Sequence, residues 1–321
     1  MALVFDDALF GTERCSHQNA NAVVMVPPID FRFNTETSED NAFQNKVSLG
    51  DTEIRRRAMS EFNTMVEELR FQGINALVMD YTPGEQDTPD AVFPNNWFST
   101  HPNGDLYFYP MACPNRRMEI RPENLLSLFA LNGFRTNRVM EVGNLADPIA
   151  FLESTGVMVM DHINRKVYAA LSQRCDAELL HQWARLTGYQ VVAFNTELSS
   201  GGPVYHTNVM MAVGERFAVI CEDIIHPVDH AAVMAELSDK TVIAISEEQM
   251  GKFCGNVLQL ENNVGEKFIA MSLSAFKAFT HEQKKQLSQH GTLMPFDVTT
   301  IETIGGGSVR CMLAELFLPK A

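Results

Sequence analysis

One run of elements recurs along this chain, and no other feature restricts its fold as much. A helical stretch, a short apolar strand and a two-stranded hairpin follow one another five times. In the first copy, Ile54, Ala58, Phe62, Met65, Val66 and Leu69 share one helical face over residues 51–70, and Gln72-Gly73 ends the helix. Residues 76–79 read as a strand, and 91–100 with 106–109 as a hairpin turning at His101-Pro102-Asn103-Gly104. The second copy predicts a helix at 121–131, a strand near Val139 and a hairpin over 149–170 that turns at 162–164. The third predicts a helix at 177–186, a strand at 190–194 and a hairpin over 205–220 turning at Gly214-Glu215. The fourth predicts a helix at 228–237, a strand at 241–245 and a hairpin over 256–271 turning at 262–265. The fifth predicts a helix at 282–290, a strand at 292–294 and a stretch at 305–316 that pairs with an early strand at 23–26.

A spacing of about 50 residues lies in the range of repeat architectures. No copy can bury its apolar face alone, so the five must close on one another. The expectation is a single α/β domain over 1–321, a five-bladed α/β propeller with pseudo-five-fold repeats around a central channel, led by a surface segment at 1–22. No linker rich in Pro, Gly or Ser divides the chain. A hydrophobic content of 45% and a charged content of 20% suit a globular protein. The net charge of −15 makes nucleic acid or an anionic membrane a poor partner. No apolar run reaches the roughly 18 residues that span a bilayer. Asp6, Asp7 and Glu13 stand where a signal peptide would be positive. The six cysteines show neither CxxC nor paired spacing, which predicts reduced thiols in a cytoplasm and no metal site.

Gly305-Gly306-Gly307 lets the backbone pass close to something bulky or charged, and Cys311 follows at the start of an apolar run. A thiol there is a nucleophile if a neighbouring cation or base activates it; otherwise it is a buried structural cysteine. In a radial arrangement the hairpins converge. That brings together Asp90, Asn95 and Asn96 from the first copy, Glu153 from the second, His206 and Asn208 from the third, and Cys311 from the fifth. Acid, imidazole and thiol on separate elements are what nucleophilic cysteine chemistry requires. Each also has a plainer reading. His206 beside Tyr205 is equally a core histidine, and Asn95-Asn96 in an aromatic run equally marks a turn, since Asn is depleted from strands. Glu153 lies in an apolar flank, where an unpartnered carboxylate costs several kcal/mol.

This constellation resembles the pentein superfamily of guanidino- and ureido-modifying enzymes, five-bladed α/β propellers with a Cys-His-acid site in the central channel. Within it the chain is most similar to the arginine-deiminase-related hydrolases assigned to citrulline use, over residues 23–318. The resemblance implies that Cys311 in Gly-Gly-Gly-Ser-Val-Arg-Cys is the nucleophile and His206 in Tyr-His-Thr-Asn the general acid/base. It implies that Glu153 in Phe-Leu-Glu-Ser-Thr-Gly is the acid, with Ser154-Thr155 where the family has two glycines. Arg174 then grips the substrate carboxylate, and Arg117 is a second such arginine, with Arg116 as the alternative for that place. Asp90 contacts the amino-acid end or a lid. Asn34, Glu36, Thr37 and Asn41 match a family signature without a derivable role. Apart from the resemblance, Arg116 and Arg117 read as a solvated pair and Arg174 as a surface charge.

Two positions depart from the deiminases in a way that bears on substrate. Asn96 and Asn208 stand where those enzymes hold the guanidinium with carboxylates. A guanidinium has only N–H donors, whereas a ureido group carries a carbonyl oxygen that an amide can serve. The expectation is a cysteine-dependent hydrolase of a small ureido or guanidino amino acid. It would convert citrulline to ornithine, carbon dioxide and ammonia, and no metal or organic cofactor is called for. The alternatives are an arginine deiminase or dihydrolase, or a dimethylargininase. From a different class, a binding protein of this fold is disfavoured because acid, base and nucleophile positions are all filled. A cysteine peptidase is disfavoured by the narrow channel.

Overall fold

The five expected repeats form five three-stranded sheets, but each sheet joins the hairpin of one predicted copy to the strand of the next. The computed structural model describes residues 17–39 and 41–321. The sheets are built from β1 (Ala22–Met25) and β2 (Asn75–Val78); β3 (Phe98–Thr100), β4 (Asp105–Phe108) and β5 (Arg138–Glu141); β6 (Val159–Asp161), β7 (Lys166–Ala170) and β8 (Gln190–Phe194). They continue with β9 (Met211–Val213), β10 (Phe217–Ile220) and β11 (Thr241–Ala244), then β12 (Leu258–Glu261), β13 (Lys267–Ser272) and β14 (Thr292–Phe296). The last strand, β15 (Ala314–Glu315), returns to β1 and completes the first sheet, so both ends of the chain share one blade.

Within each sheet an antiparallel pair is followed by a parallel one. A parallel neighbour requires a long crossover, and a helix supplies it every time: α1 (Asp51–Phe71), α2 (Pro122–Leu131), α3 (Ala177–Thr187), α4 (Pro227–Glu236) and α5 (His281–Ser288). α1 buries Ile54, Ala58, Phe62, Met65, Val66 and Leu69 against Val23, Met25, Phe268 and Met294. Full burial of such a side chain contributes about 1.5–3 kcal/mol, so this stripe holds an otherwise polar helix in place. α3 is capped at both ends: Asp176 accepts from the Leu179 amide at 2.9 Å, and Gly188 closes it at φ 73°.

The first strands of successive blades meet around the centre, β15 against β3, β6 against β9 and β9 against β12. Among the described residues no helix is long and apolar enough to cross a membrane.

Two expectations are corrected here. The end of the 1–22 segment is not on the surface: Gln18, Asn19 and Ala20 are buried. Gln18 donates to the Met160 carbonyl at 2.9 Å and accepts from the His162 amide at 2.8 Å, while the Ala20 carbonyl accepts from Glu261 at 3.1 Å. The Gln18 side chain thus satisfies backbone groups at the hairpin end of a neighbouring blade; residues 1–16 lie outside the described residues. The strand expected over 91–100 is confined to β3, because Pro94 cannot donate to a ladder and the chain makes a 3-10 turn at Pro94–Asn96.

Candidate active site

The residues that matter sit in tight turns just ahead of the first strand of each blade. These turns are Pro94–Asn96 before β3, Ser154–Val157 before β6, Thr207–Met210 before β9, 251–255 before β12 and 309–312 before β15. The repeat therefore delivers one short segment per blade to the centre. Asp90, Asn96, Arg116, Arg174, His206, Cys311 and the run Gly305-Gly306-Gly307 line one cavity there.

Glu153 is the hub. It is fully buried, and its Oε2 lies 2.7 Å from His206 Nε2 and 3.3 Å from Arg174 Nη1, while Oε1 accepts from the Ala112 amide at 3.0 Å. Burial alone would push its carboxyl up. Arg174, the His206 hydrogen bond and Arg116 outweigh that and hold it well below the usual carboxylate range. An ionised Glu153 accepts, so His206 Nε2 carries the proton and Nδ1 keeps its lone pair. Burial pushes His206 down, with Glu153 opposing only in part, so the imidazole rests neutral.

The turn that aims Glu153 uses serine and threonine in place of the family glycines. Ser154 takes φ 40°, in the left-handed region where side chains are strained. Its Oγ compensates by donating to the Phe98 carbonyl at 2.8 Å, and Thr155 Oγ1 donates to the Asn95 carbonyl at 3.0 Å. These bonds tie this turn to β3 and to the turn before it. Gly156 needs its missing side chain, since a Cβ would stand 2.3 Å from Asn96 Nδ2 and 3.0 Å from the His206 ring.

Arg116 reaches the cavity, and Arg117 does not. On one turn of helix, consecutive side chains point about 100° apart. Arg117 turns to the Met111 and Ala112 carbonyls at 3.0 and 2.9 Å and over the Phe151 ring, which corrects the assignment of Arg117 as a substrate contact. Arg116 is buried and forms a two-point ion pair with Glu119 at 3.0 and 2.9 Å. It also donates to the Phe93 carbonyl at 3.2 Å and to Asn96 Oδ1 at 2.8 Å. That last bond fixes the Asn96 amide, whose buried Nδ2 has no partner among the described residues.

Asp90 is buried, and Oδ2 accepts from Asn34 Nδ2 at 2.7 Å and Thr37 Oγ1 at 3.0 Å, while Oδ1 has no partner among the described residues. Burial pushes its carboxyl up against the pull of Arg116, Asn34 and Thr37. The signature residues thus find positions: Asn34 and Thr37 hold Asp90, Glu36 accepts from the Asn115 amide at 2.9 Å, and Asn41 donates to the Gly306 carbonyl at 3.4 Å.

Cys311 is 3% exposed. The chain reaches it through a helix at Thr299–Gly305 that Gly306 ends at φ 64°. Glu302 on that helix accepts from Ser308 Oγ at 2.6 Å, which fixes the turn ahead of the thiol. Asn208 Nδ2 lies 3.7 Å from the sulfur, and Asn208 Oδ1 is buried without a partner among the described residues. Asn256 Nδ2 lies closer, at 3.3 Å. Burial pushes Cys175, Cys221 and Cys254, which lie outside the cavity, up to about 12, where a thiol is inert. Among the described residues no three His, Cys, Asp or Glu side chains are grouped to hold a metal ion.

The structure therefore brings Cys311, His206, Glu153, Asp90, Asn96, Asn208 and Arg174 together. Sequence reasoning missed Asn256. The signal for it was present: Asn96-Trp97-Phe98, Gly156-Val157-Met158, Asn208-Val209-Met210, Asn256-Val257-Leu258 and Cys311-Met312-Leu313 stand at equivalent points of the five copies.

Known proteins share this fold. The family profile described as "N,N dimethylarginine dimethylhydrolase, eukaryotic" matches residues 27–318. No curated protein sequence matches the chain. Among solved structures, the N-terminal domain of ArgZ, an arginine dihydrolase from the ornithine-ammonia cycle in cyanobacteria, is similar with a TM-score of 0.71 and 15% identity. That match covers 92% of this chain and 97% of that domain, whereas the chain spans only 41% of whole ArgZ. AgrE bound to L-arginine is similar with a TM-score of 0.71 and 14% identity, over 94% of this chain and 40% of that one. A dimethylarginine dimethylaminohydrolase carrying an S-methyl-L-thiocitrulline adduct is similar with a TM-score of 0.63 and 16% identity, over 92% and 100%. At these identities the likeness is one of fold, and the family profile carries the assignment. The chain belongs to the N,N dimethylarginine dimethylhydrolase family, within the pentein superfamily of hydrolases that act on C–N bonds of guanidino groups.

Proposed function

We propose that the chain hydrolyses citrulline to ornithine, carbon dioxide and ammonia through a covalent Cys311 intermediate. The observation that carries this reading is the Asn96 amide. With Oδ1 engaged by Arg116, what Asn96 offers is an N–H, and it needs an acceptor. A ureido oxygen is one; a guanidinium has none. Leaving that buried donor unmet costs about 1–3 kcal/mol, or roughly tenfold to a hundredfold in discrimination. Asn208 Oδ1 and Asp90 Oδ1 are acceptors suited to the N–H groups of either substrate.

In this scheme Cys311 gives its proton to neutral His206 at Nδ1, and the thiolate attacks the ureido carbon. The tetrahedral species collapses as the ornithine nitrogen leaves with the proton from His206, and a carbamoyl thioester remains. His206 then takes a proton from water, whose oxygen attacks the thioester carbon. Cys311 departs, and the carbamate released breaks into carbon dioxide and ammonia. Glu153 holds the imidazole in the tautomer this requires, and Arg174 is the contact for the substrate carboxylate.

A second reading is an arginine dihydrolase, which passes through the same ureido step. It is favoured by the unpartnered Asp90 Oδ1 and the buried Glu153 anion, both of which attract a guanidinium. Product stoichiometry separates the two. Incubated with citrulline, arginine, agmatine, methylated arginines and succinylarginine in turn, the protein is expected to release ornithine and one ammonia from citrulline fastest. Faster release of ornithine with two ammonia from arginine would replace citrulline by the dihydrolase reading, and faster turnover of a methylated arginine by the dimethylargininase one.

A further inference from the structure

We propose that Asn256 is a catalytic residue, the fixed N–H donor that stabilises the Cys311 thiolate. The proposal rests on Cys311 being the nucleophile and not on the identity of the substrate.

The amide of Asn256 is oriented by two backbone groups of known polarity. Its Oδ1 accepts from the Arg310 amide at 3.1 Å, and its Nδ2 donates to the Asn208 carbonyl at 2.8 Å. A flipped amide would set a carbonyl against a carbonyl and an N–H against an N–H, so the orientation is determined. Nδ2 has two hydrogens. One serves Asn208, and the sulfur of Cys311, 3.3 Å from Nδ2, stands where the other can go. The more distant Asn208 side chain lacks this property: its Nδ2 is 3.7 Å from the sulfur and its Oδ1 has no partner among the described residues to fix the flip. A thiol is a weak acceptor and a thiolate a strong one, so the bond favours the charged form. It does so without a second charge in the cavity.

Placement in the fold makes the contact rigid. Asn256 is fully buried, comes from the blade of β12–β14, and joins the blade of β9–β11 (Asn208) to the one that β15 completes (Arg310, Cys311). His206 is neutral until it takes the Cys311 proton, and the Asn256 donor serves the thiolate that this transfer leaves.

The test is the alkylation of Cys311 by iodoacetamide, followed by mass spectrometry of the peptide that contains it, in wild type, Asn256→Asp and Asn256→Ala. Alkylation needs no substrate, so its outcome is separate from the failure of any citrulline assay. At neutral pH both variants are expected to react about tenfold to a hundredfold more slowly than wild type, the scale of one charge-assisted hydrogen bond. The deficit in Asn256→Ala should close at alkaline pH, where every thiol is ionised. Turnover should fall in kcat with KM nearly unchanged. Equal alkylation at neutral pH would overturn the proposal, as would a deficit that persists unchanged at alkaline pH, which means a displaced or shielded sulfur. Should Asn256→Ala fail to fold, Asn256→Asp keeps the size and the Arg310 contact and is read at neutral pH alone.

Discussion

Replacing Cys311 by serine is expected to abolish turnover and leave the fold in place. The sulfur lies in a turn fixed by the Ser308–Glu302 bond and the Asn256 amide, and the smaller hydroxyl fits in its place without a clash. What is lost is nucleophilicity. A thiol ionises within reach of a neutral imidazole, whereas a serine hydroxyl requires a base tuned for it. A loss of at least about a thousandfold in kcat is expected, as when the nucleophile of a concerted catalytic set is removed. The thermal midpoint should stay within a few degrees of wild type. Ornithine release within tenfold of wild type would remove Cys311 from the mechanism.

Glu153→Gln is expected to cost both activity and stability, with a pH dependence that identifies the cause. The carboxylate compensates Arg174 and orients His206, and all three are buried. Removing one partner of a buried ion pair costs about 3–5 kcal/mol, because the other charge is left uncompensated. Activity should fall about a hundredfold to ten-thousandfold, the range for losing the orientation of a general base. The sign of the pH effect follows from the depressed carboxyl of Glu153. Its stabilisation is complete above the unfolded carboxylate range, near about 4.3, and is lost as the pH falls towards the lower folded value. His206 is also depressed, so below about 6.5 the unfolded state takes up a proton that the folded state refuses, and stability falls there too. The deficit of Glu153→Gln against wild type should thus be present throughout the range above the carboxylate pKa and shrink as the pH drops below it. Urea unfolding across pH reads it directly. A deficit that does not vary with pH would assign Glu153 to packing instead.

Much of this was legible in the sequence because hydrophobic period and turn chemistry are local. The α1 stripe from Ile54 to Leu69 names its own buried face, and the five recurrences leave few ways to close the ring. Cys311, Glu153 and His206 stood out because an acid, an imidazole and a thiol recurred at similar places in different copies. What was hidden depends on direction in space. Arg116 and Arg117 are chemically alike and adjacent, and only the course of one helical turn decides which reaches the cavity. Asn256 follows Gly255 in what reads as ordinary turn chemistry, and its partners lie 48 and 54 residues away in sequence. Gln18 looks solvated by composition, yet it lies against strand ends whose backbone groups need partners. Pro94 breaks an otherwise convincing aromatic strand, and the turn it creates is the one that presents Asn96.

On the proposed reading, two uncharged amides, Asn96 and Asn208, suit the site to a ureido carbon more than to a guanidinium. The most direct test is kcat/KM for citrulline and for arginine, side by side, in wild type and in the Asn96→Asp, Asn208→Asp double variant. A charge-assisted bond contributes about 1.5–3 kcal/mol against about 1 for a neutral one, so two exchanges move the ratio by roughly tenfold or more. Wild type is expected to prefer citrulline by at least about tenfold, and the double variant to shift that ratio towards arginine by a similar factor. A wild type that prefers arginine, or a ratio that the two substitutions leave unmoved, would contradict the account.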